Sequence, residues 1–327
     1  MSIHDLGYRS WQGPLVPQIG RFWVIAQTGI RLAWRNAWVR RLLFLSWLPA
    51  VYIAGLLVVY EQILAQAPLY HRVMPWLEGV PLSENRYRVW ACLLYIFFRY
   101  PQLVVVLLVV GQIAPPLVAR DVRTKAFLLY FSRPLARFEY VLGKMVVVWA
   151  YLLLISAVPA LALYAVGVLL SPDWRVVFST WDLPLRIVVA SAVLIFPITA
   201  VALAFSSLTS ETRYATFAWF AFWGLGWATR WILTVNVPSS ANLERWNLVS
   251  MSHTLATIQY WIFGLKHELA DLVSVASQVA VASGANRLGI LPPPEQVHVW
   301  PAALQVTGIT LVALAVLFRR VSSPMRI

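Results

Sequence analysis

The stretch Leu42–Tyr60 runs for 19 residues without a charged side chain, and five more predominantly apolar stretches follow it. A helix of about 20 such residues crosses the roughly 30 Å hydrocarbon core of a bilayer and satisfies its own backbone hydrogen bonds while doing so. Composition points the same way. Of the 327 residues, 60% are apolar and 12% charged, against roughly 45–50% and about 25% in a soluble domain. A net charge of +13 therefore does not mark a soluble nucleic-acid binder, because there are too few charged groups to wet a globule of this length. The hydrophobic content also excludes disorder. The expected fold class is an all-α integral membrane protein.

Six transmembrane helices are expected, at about Leu42–Tyr60, Pro101–Val118, Met145–Leu170, Leu185–Phe205, Ala215–Val235 and Val299–Phe318. The third and fourth carry internal prolines, Pro159 and Pro197, which are natural kink sites. An aromatic approach to the second (Tyr95, Phe97, Phe98, Tyr100) reads as an interfacial belt in which Arg99 snorkels. Residues 1–41 form an N-terminal cytoplasmic segment and 42–327 a single transmembrane domain. Residues 1–41 hold no apolar run of the signal-peptide kind. The single cysteine, Cys92, excludes an internal disulfide, and the five histidines show no paired spacing.

Lys/Arg placement sets the orientation. With the N-terminus inside, segments 1–41, 119–144, 206–214 and 319–327 hold 16 Lys/Arg and 4 acids. The outer loops 61–90, 171–184 and 236–298 hold 7 and 9. The inside is then +12 and the outside −2, so both termini face the cytoplasm of a multi-pass protein of the cell (plasma or inner) membrane. In the loop 236–298, Thr254–Leu265 and Leu272–Asn286 are too short to span and read as two short helices, re-entrant or lying at the outer surface. The turn Pro292-Pro293-Pro294 follows. Two further spans there are the alternative, and would leave both termini inside.

Residues 21–41 have the spacing of one amphipathic helix. Phe22, Ala26, Ile30, Ala33, Trp34, Ala37 and Trp38 recur at i, i+3 and i+4, with Arg21, Thr28, Arg31 and Arg35 opposite. Arg40 and Arg41 stand at the membrane entry. Such a helix lies in the inner interface with arginines against lipid phosphates, so membrane lipids are an expected partner.

The inner loop 119–144 is more specific. Positive-inside bias explains its basic residues, but not the apolar cluster Phe127–Phe131 in mid-loop. Residues 120–131 read as a short helix stopped by Ser132-Arg133-Pro134, and Arg137–Lys144 as a second helix leading into the third span. Its large apolar groups need a cover, either the membrane surface or a cytoplasmic protein.

The run Ala119-Arg120-Asp121-Val122-Arg123-Thr124-Lys125-Ala126-Phe127-Leu128-Leu129-Tyr130-Phe131-Ser132-Arg133-Pro134-Leu135-Ala136-Arg137-Phe138-Glu139-Tyr140-Val141-Leu142-Gly143-Lys144 resembles the coupling segment of ABC transporter permease subunits of the type 2 export class. Asp121 stands where the family often has Glu. The six spans, the N-terminal elbow helix and the short helices of the last outer loop are similar to the family's plan. The resemblance implies a coupling role in which separate cytoplasmic ABC ATPase subunits, carrying ATP and Mg, dock on Arg120, Asp121, Arg123, Lys125, Phe127, Leu128, Tyr130, Arg133, Arg137 and Glu139. It also implies a second permease half, as a homodimer or heterodimer.

The chain itself shows no nucleotide site. A Walker A loop needs a glycine-rich turn ending in Lys-Ser/Thr, whereas Gly143-Lys144 is followed by Met145. His267-Glu268-Leu269-Ala270-Asp271 has aspartate where a zinc HExxH motif needs its second histidine. No acid lies inside the six expected spans, against proton coupling and intramembrane proteolysis. Trp219, Trp223, Trp227 and Trp231 recur at i+4 and drift about 40° per step, which suits packing or lipid contact. Gln112 and Thr199 read as interhelical hydrogen-bonders. The expected function is a non-enzymatic, ATP-driven export permease subunit for a lipid, drug or other amphiphile, without cofactor, metal or nucleic-acid partner. The alternative is a membrane scaffold coupling a cytoplasmic ATPase to extracytoplasmic assembly.

Overall fold

A computed structural model describes residues 20–65, 82–127, 135–171, 175–236, 240–265 and 299–322. Among these the regular structure is all helical. The first three helices are α1 (Arg21–Arg35), α2 (Ala37–Leu45) and α3 (Leu48–Ala65); then come α4 (Leu82–Arg99), α5 (Pro101–Arg123), α6 (Arg137–Ile155) and α7 (Ala157–Leu170). After the one-turn α8 (Val176–Ser179) follow α9 (Asp182–Leu208), α10 (Thr212–Asn236), α11 (Ser240–Val249), α12 (Met251–Ile262) and α13 (Val299–Ser322).

Five helical stretches are long and apolar enough to cross a membrane: Ala37–Gln62, Arg86–Arg123, Arg137–Leu170, Asp182–Leu208 and Val299–Ser322. They contain five of the six expected spans. The sixth, about 215–235, is the 25-residue helix α10, which is long enough but less apolar because of its tryptophans, glycines and Arg230. Helix α9 is the axis of the bundle. It packs against α5, α6, α7, α10, α12 and α13, and its second half, from Leu194 to Ala204, is buried almost all round.

The single N-terminal helix expected over 21–41 is two. Asn36 interrupts it, and its side-chain oxygen accepts from the Trp38 N–H at 3.0 Å, capping the start of α2. The first part of the stripe expected to face lipid packs instead on α6, where Ala26 is fully buried and Ile30 and Ala33 are partly covered. A Cβ at Gly143 would lie 2.9 Å from the Phe22 carbonyl oxygen, and one at Gly29 2.5 Å from Val147 Cγ2. Two glycines therefore permit the α1–α6 crossing, and the Tyr151 hydroxyl donates to the Ile30 carbonyl at 2.7 Å. Trp34 and Trp38 stay uncovered by protein, as do Arg31, Arg35, Arg40 and Arg41, while Arg21 is half-buried.

The long stretches are jointed at prolines and their polar partners. Pro101 opens α5, where its missing N–H costs nothing. Pro159 removes the donor for the Ile155 carbonyl, and α6 gives way to α7 at Ser156. That carbonyl instead accepts from the buried Gln102 amide of α5. The Ser206 hydroxyl of α9 enters α5 beside Pro115-Pro116, donating to the Pro115 carbonyl at 2.6 Å and accepting from the N–H groups of Val118 and Ala119 at 3.1 and 3.0 Å. Gln102 and Ser206 thus make the contacts expected of Gln112 and Thr199. Gln112 is uncovered, and the buried Thr199 hydroxyl has no hydrogen-bond partner among the described residues.

Three other expectations change. The aromatic approach is mostly buried: Tyr95, Phe97 and Phe98 in α4 are at most 8% exposed and only Tyr100 of the four is uncovered, at 56%, while Arg99 donates to the Ser252 carbonyl at 3.3 Å. Of the two placements expected for Thr254–Leu265, the outer surface is the one that fails, because α12 is buried against α4, α9 and α13. Its exit is fixed by Arg186, which bonds the Asp182 carboxylate at 2.8 Å and also donates to the Ile262 carbonyl. Gly264, at φ +72°, sits so close to Arg186 that a side chain would meet it. Finally, the candidate crossings run past the ends of the expected spans and so take in four acids, Glu61, Asp121, Glu139 and Asp182. Glu61 is 7% exposed and held by Arg86 at 3.1 Å. Of the four tryptophans of α10, Trp219 and Trp223 are buried and Trp227 and Trp231 are uncovered, consistent with a winding row. Leu272–Asn286, His267, Glu268, Asp271 and the proline turn lie outside the described residues.

Gly143→Ala forces the Phe22 backbone away, so it should destabilise the detergent-solubilised protein by about 1–3 kcal/mol. It should also speed protease cleavage at Arg31 and Arg35. Gly308→Ala, where nothing lies within 4 Å, is the control and should leave both readings in place.

Candidate functional site: the coupling segment

The expected coupling segment begins as the last turn of α5. The helix ends in a double-bonded turn: the Ala126 N–H donates to the Asp121 carbonyl at 3.0 Å and the Lys125 N–H to that of Val122 at 3.3 Å. This closure needs a left-handed residue after the cap, and Lys125 takes that place at φ +54°. A non-glycine residue there costs on the order of 1 kcal/mol. The turn folds Phe127 inward, 6% exposed, edge-on to the Tyr140 ring with centroids 5.4 Å apart.

Asp121 anchors the turn to α6. Its Oδ2 accepts from Lys144 Nζ at 2.7 Å and from the Tyr140 hydroxyl at 2.6 Å. Tyr140 and Lys144 are one helical turn apart, so both reach the same carboxylate, and the ammonium also lies 5.4 Å from the Tyr140 ring centroid. The carboxylate and ammonium side chains are 14% and 11% exposed. At that burial each charge depends on the other, since stripping one partner from such a pair leaves a costly desolvated ion. Glu139 has a local task, accepting from the Ala136 N–H at 2.9 Å and capping the start of α6.

The ten residues expected to meet an ATPase therefore divide. Asp121 and Phe127 point inward and Glu139 is spent on the cap. Arg120, Arg123, Lys125 and Arg137 are exposed and form the basic face of the segment. Leu128, Tyr130 and Arg133 lie outside the described residues.

The sequence reading missed three kinds of residue. Tyr140 and Lys144 had a signal in their i, i+4 spacing. Ser206 had none, being 88 and 87 positions from the amides it caps. Glu211, just before α10, and Arg213, in its first turn, come to the same end of the bundle. Arg123 Nη1 lies 3.6 Å from Glu211 Oε2, and a cleft of about 480 Å3 opens between Arg120, Arg123, Thr124, Glu211, Thr212 and Arg213.

Residues 101–236, from the start of α5 to the end of α10, match the sequence profile of a family described as ABC-2 family transporter protein. The matched span contains the whole coupling segment, and the resemblance to ABC-2 type export permeases is thereby shown over it. No curated protein matches the chain. The match and the apolar helices together support a multi-pass membrane permease, and a permease of this family implies an ABC ATPase partner in general.

Asp121→Asn and Lys144→Met should each destabilise the protein by about 3–5 kcal/mol, because each leaves one charge buried alone. The double variant should lose clearly less than the sum. Thermal unfolding of the four proteins measures the coupling, and strict additivity would mean that the two side chains do not act as a pair.

Proposed function

We propose that the chain is the membrane-spanning permease subunit of an ATP-driven exporter whose ATPase is a separate cytoplasmic subunit. Six spans cross the cell (plasma or inner) membrane, α10 being the sixth. Both termini face the cytoplasm, and α1–α2 form the elbow at the inner interface. Two permease halves, identical or different, enclose a path for a lipid, drug or other amphiphile. ATP and Mg belong to the partner.

The observation that carries this reading is the exposed basic face Arg120, Arg123, Lys125 and Arg137, mounted on a turn held by Asp121, Tyr140 and Lys144. A rigid mount matters physically, because force from a closing ATPase moves α5 and α6 only if the contact does not yield first. Phe138, next to Arg137 and 60% exposed, offers an apolar group beside these charges.

Reversing Lys125 and Arg137 together (Lys125→Glu, Arg137→Glu) should reduce co-purification of the ATPase subunit by about tenfold or more, as opposed charges at an interface rim become repulsive. Membrane insertion should be preserved. Undiminished co-purification with the doubly reversed chain would remove the docking assignment.

A further inference from the structure

The cleft beside Arg120 has a neighbour along α5. Arg120 also forms part of the wall of a second cavity, of about 110 Å3, between α1–α2 and α5. Leu32, Val39, Ile113 and Leu117 make its apolar wall, with Asn36 and Gln112 as polar points. Gln112 lies eight residues from Arg120 on α5, about 12 Å of helical rise toward the middle of the span.

The two cavities differ in chemistry. The outer has three arginines and one glutamate, and Glu211 is engaged by Arg123 at 3.6 Å. Arg120 and Arg213 have no carboxylate partner among the described residues. The inner is apolar along most of its wall. Pro101 opens α5, and Arg120 stands about 29 Å of rise further on, close to the thickness of the hydrocarbon core. The cationic cleft therefore falls at headgroup level and the apolar cavity at acyl level.

We propose that this two-part cleft binds a phosphate-headed anionic lipid, with the headgroup between Arg120 and Arg213 and one chain entering between α2 and α5. Basic pockets between membrane helices bind such headgroups through charge-assisted hydrogen bonds. The apolar continuation selects an amphiphile over a free anion. Assignment to the inner leaflet rests on the orientation proposed above. The site itself stands on these residues and requires no ATPase.

The test uses the full chain purified alone in detergent, so failure of ATPase docking has no bearing on it. Native mass spectrometry follows retention of phosphatidylglycerol against phosphatidylcholine, with size-exclusion chromatography as the folding check. The intact chain should retain phosphatidylglycerol preferentially. Arg120→Gln with Arg213→Gln should cut that preference by about tenfold, the scale of one lost charge-assisted contact. Gln112→Trp, at an uncovered position, should lower retention by filling the chain slot. Inorganic phosphate should not displace the lipid. Equal retention of both lipids, or a preference untouched by the Arg120/Arg213 pair, would overturn the proposal. So would an equal loss in Arg319→Gln with Arg320→Gln, which would mean diffuse attraction to a basic surface, or full displacement by phosphate, which would mean a plain anion site.

Discussion

At the junction of α5 and α6, one carboxylate oxygen of Asp121 is shared by an ammonium and a phenol. A charge placed where lipid and protein exclude most water is costly unless its counter-ion is fixed beside it. The pair therefore ties the end of α5 to the first turns of α6. Gly143, next to Lys144, is where α1 crosses α6. Glu139, five residues before Lys144, caps that helix. The basic outer face is a by-product of this inward bonding, because the turn that buries Phe127 leaves Lys125 outside.

Elsewhere the bundle is held by polar groups aimed at imperfect backbone. Lipid gives no reward for bringing one apolar helix against another, so close packing and hydrogen bonds must supply it. Gln102 serves the carbonyl that Pro159 leaves unpaired, and Ser206 serves the turn of α5 after its paired prolines. Arg186 does the same for the end of α12. In these three places a proline or helix end creates a demand, and a single side chain on a neighbouring helix meets it.

Five of the spans were legible because membrane thickness imposes a length that survives any packing. The joint in the third was foreshadowed by Pro159, although its position at Ser156 follows from the carbonyl lost four residues earlier. The coupling segment was legible as a unit, from its motif and its basic residues. Its internal division was not, since whether Phe127 faces inward depends on Tyr140, and hydropathy cannot tell an exposed aromatic from one covered by its neighbour. The N-terminal stripe was read as lipid-facing for a related reason: an apolar face has the same periodicity whether lipid or α6 covers it. Ser206 and Glu211 were out of reach, because their partners lie far along the chain and only the fold unites them.

The break at Ser156 divides the third crossing into two arms of different attachment. The lower arm, α6, is bolted to the coupling turn and to α1, and the upper arm, α7, rests against α3. A helix broken at such a point bends more readily than it stretches. Under the coupling role proposed above, a push delivered at Lys144 would become a swing of the lower arm about the Ser156 break, with α1 carried along. The glutamine that reaches across from α5 sits at the pivot, where the lever arm is shortest and a single bond is enough to keep the axle in place.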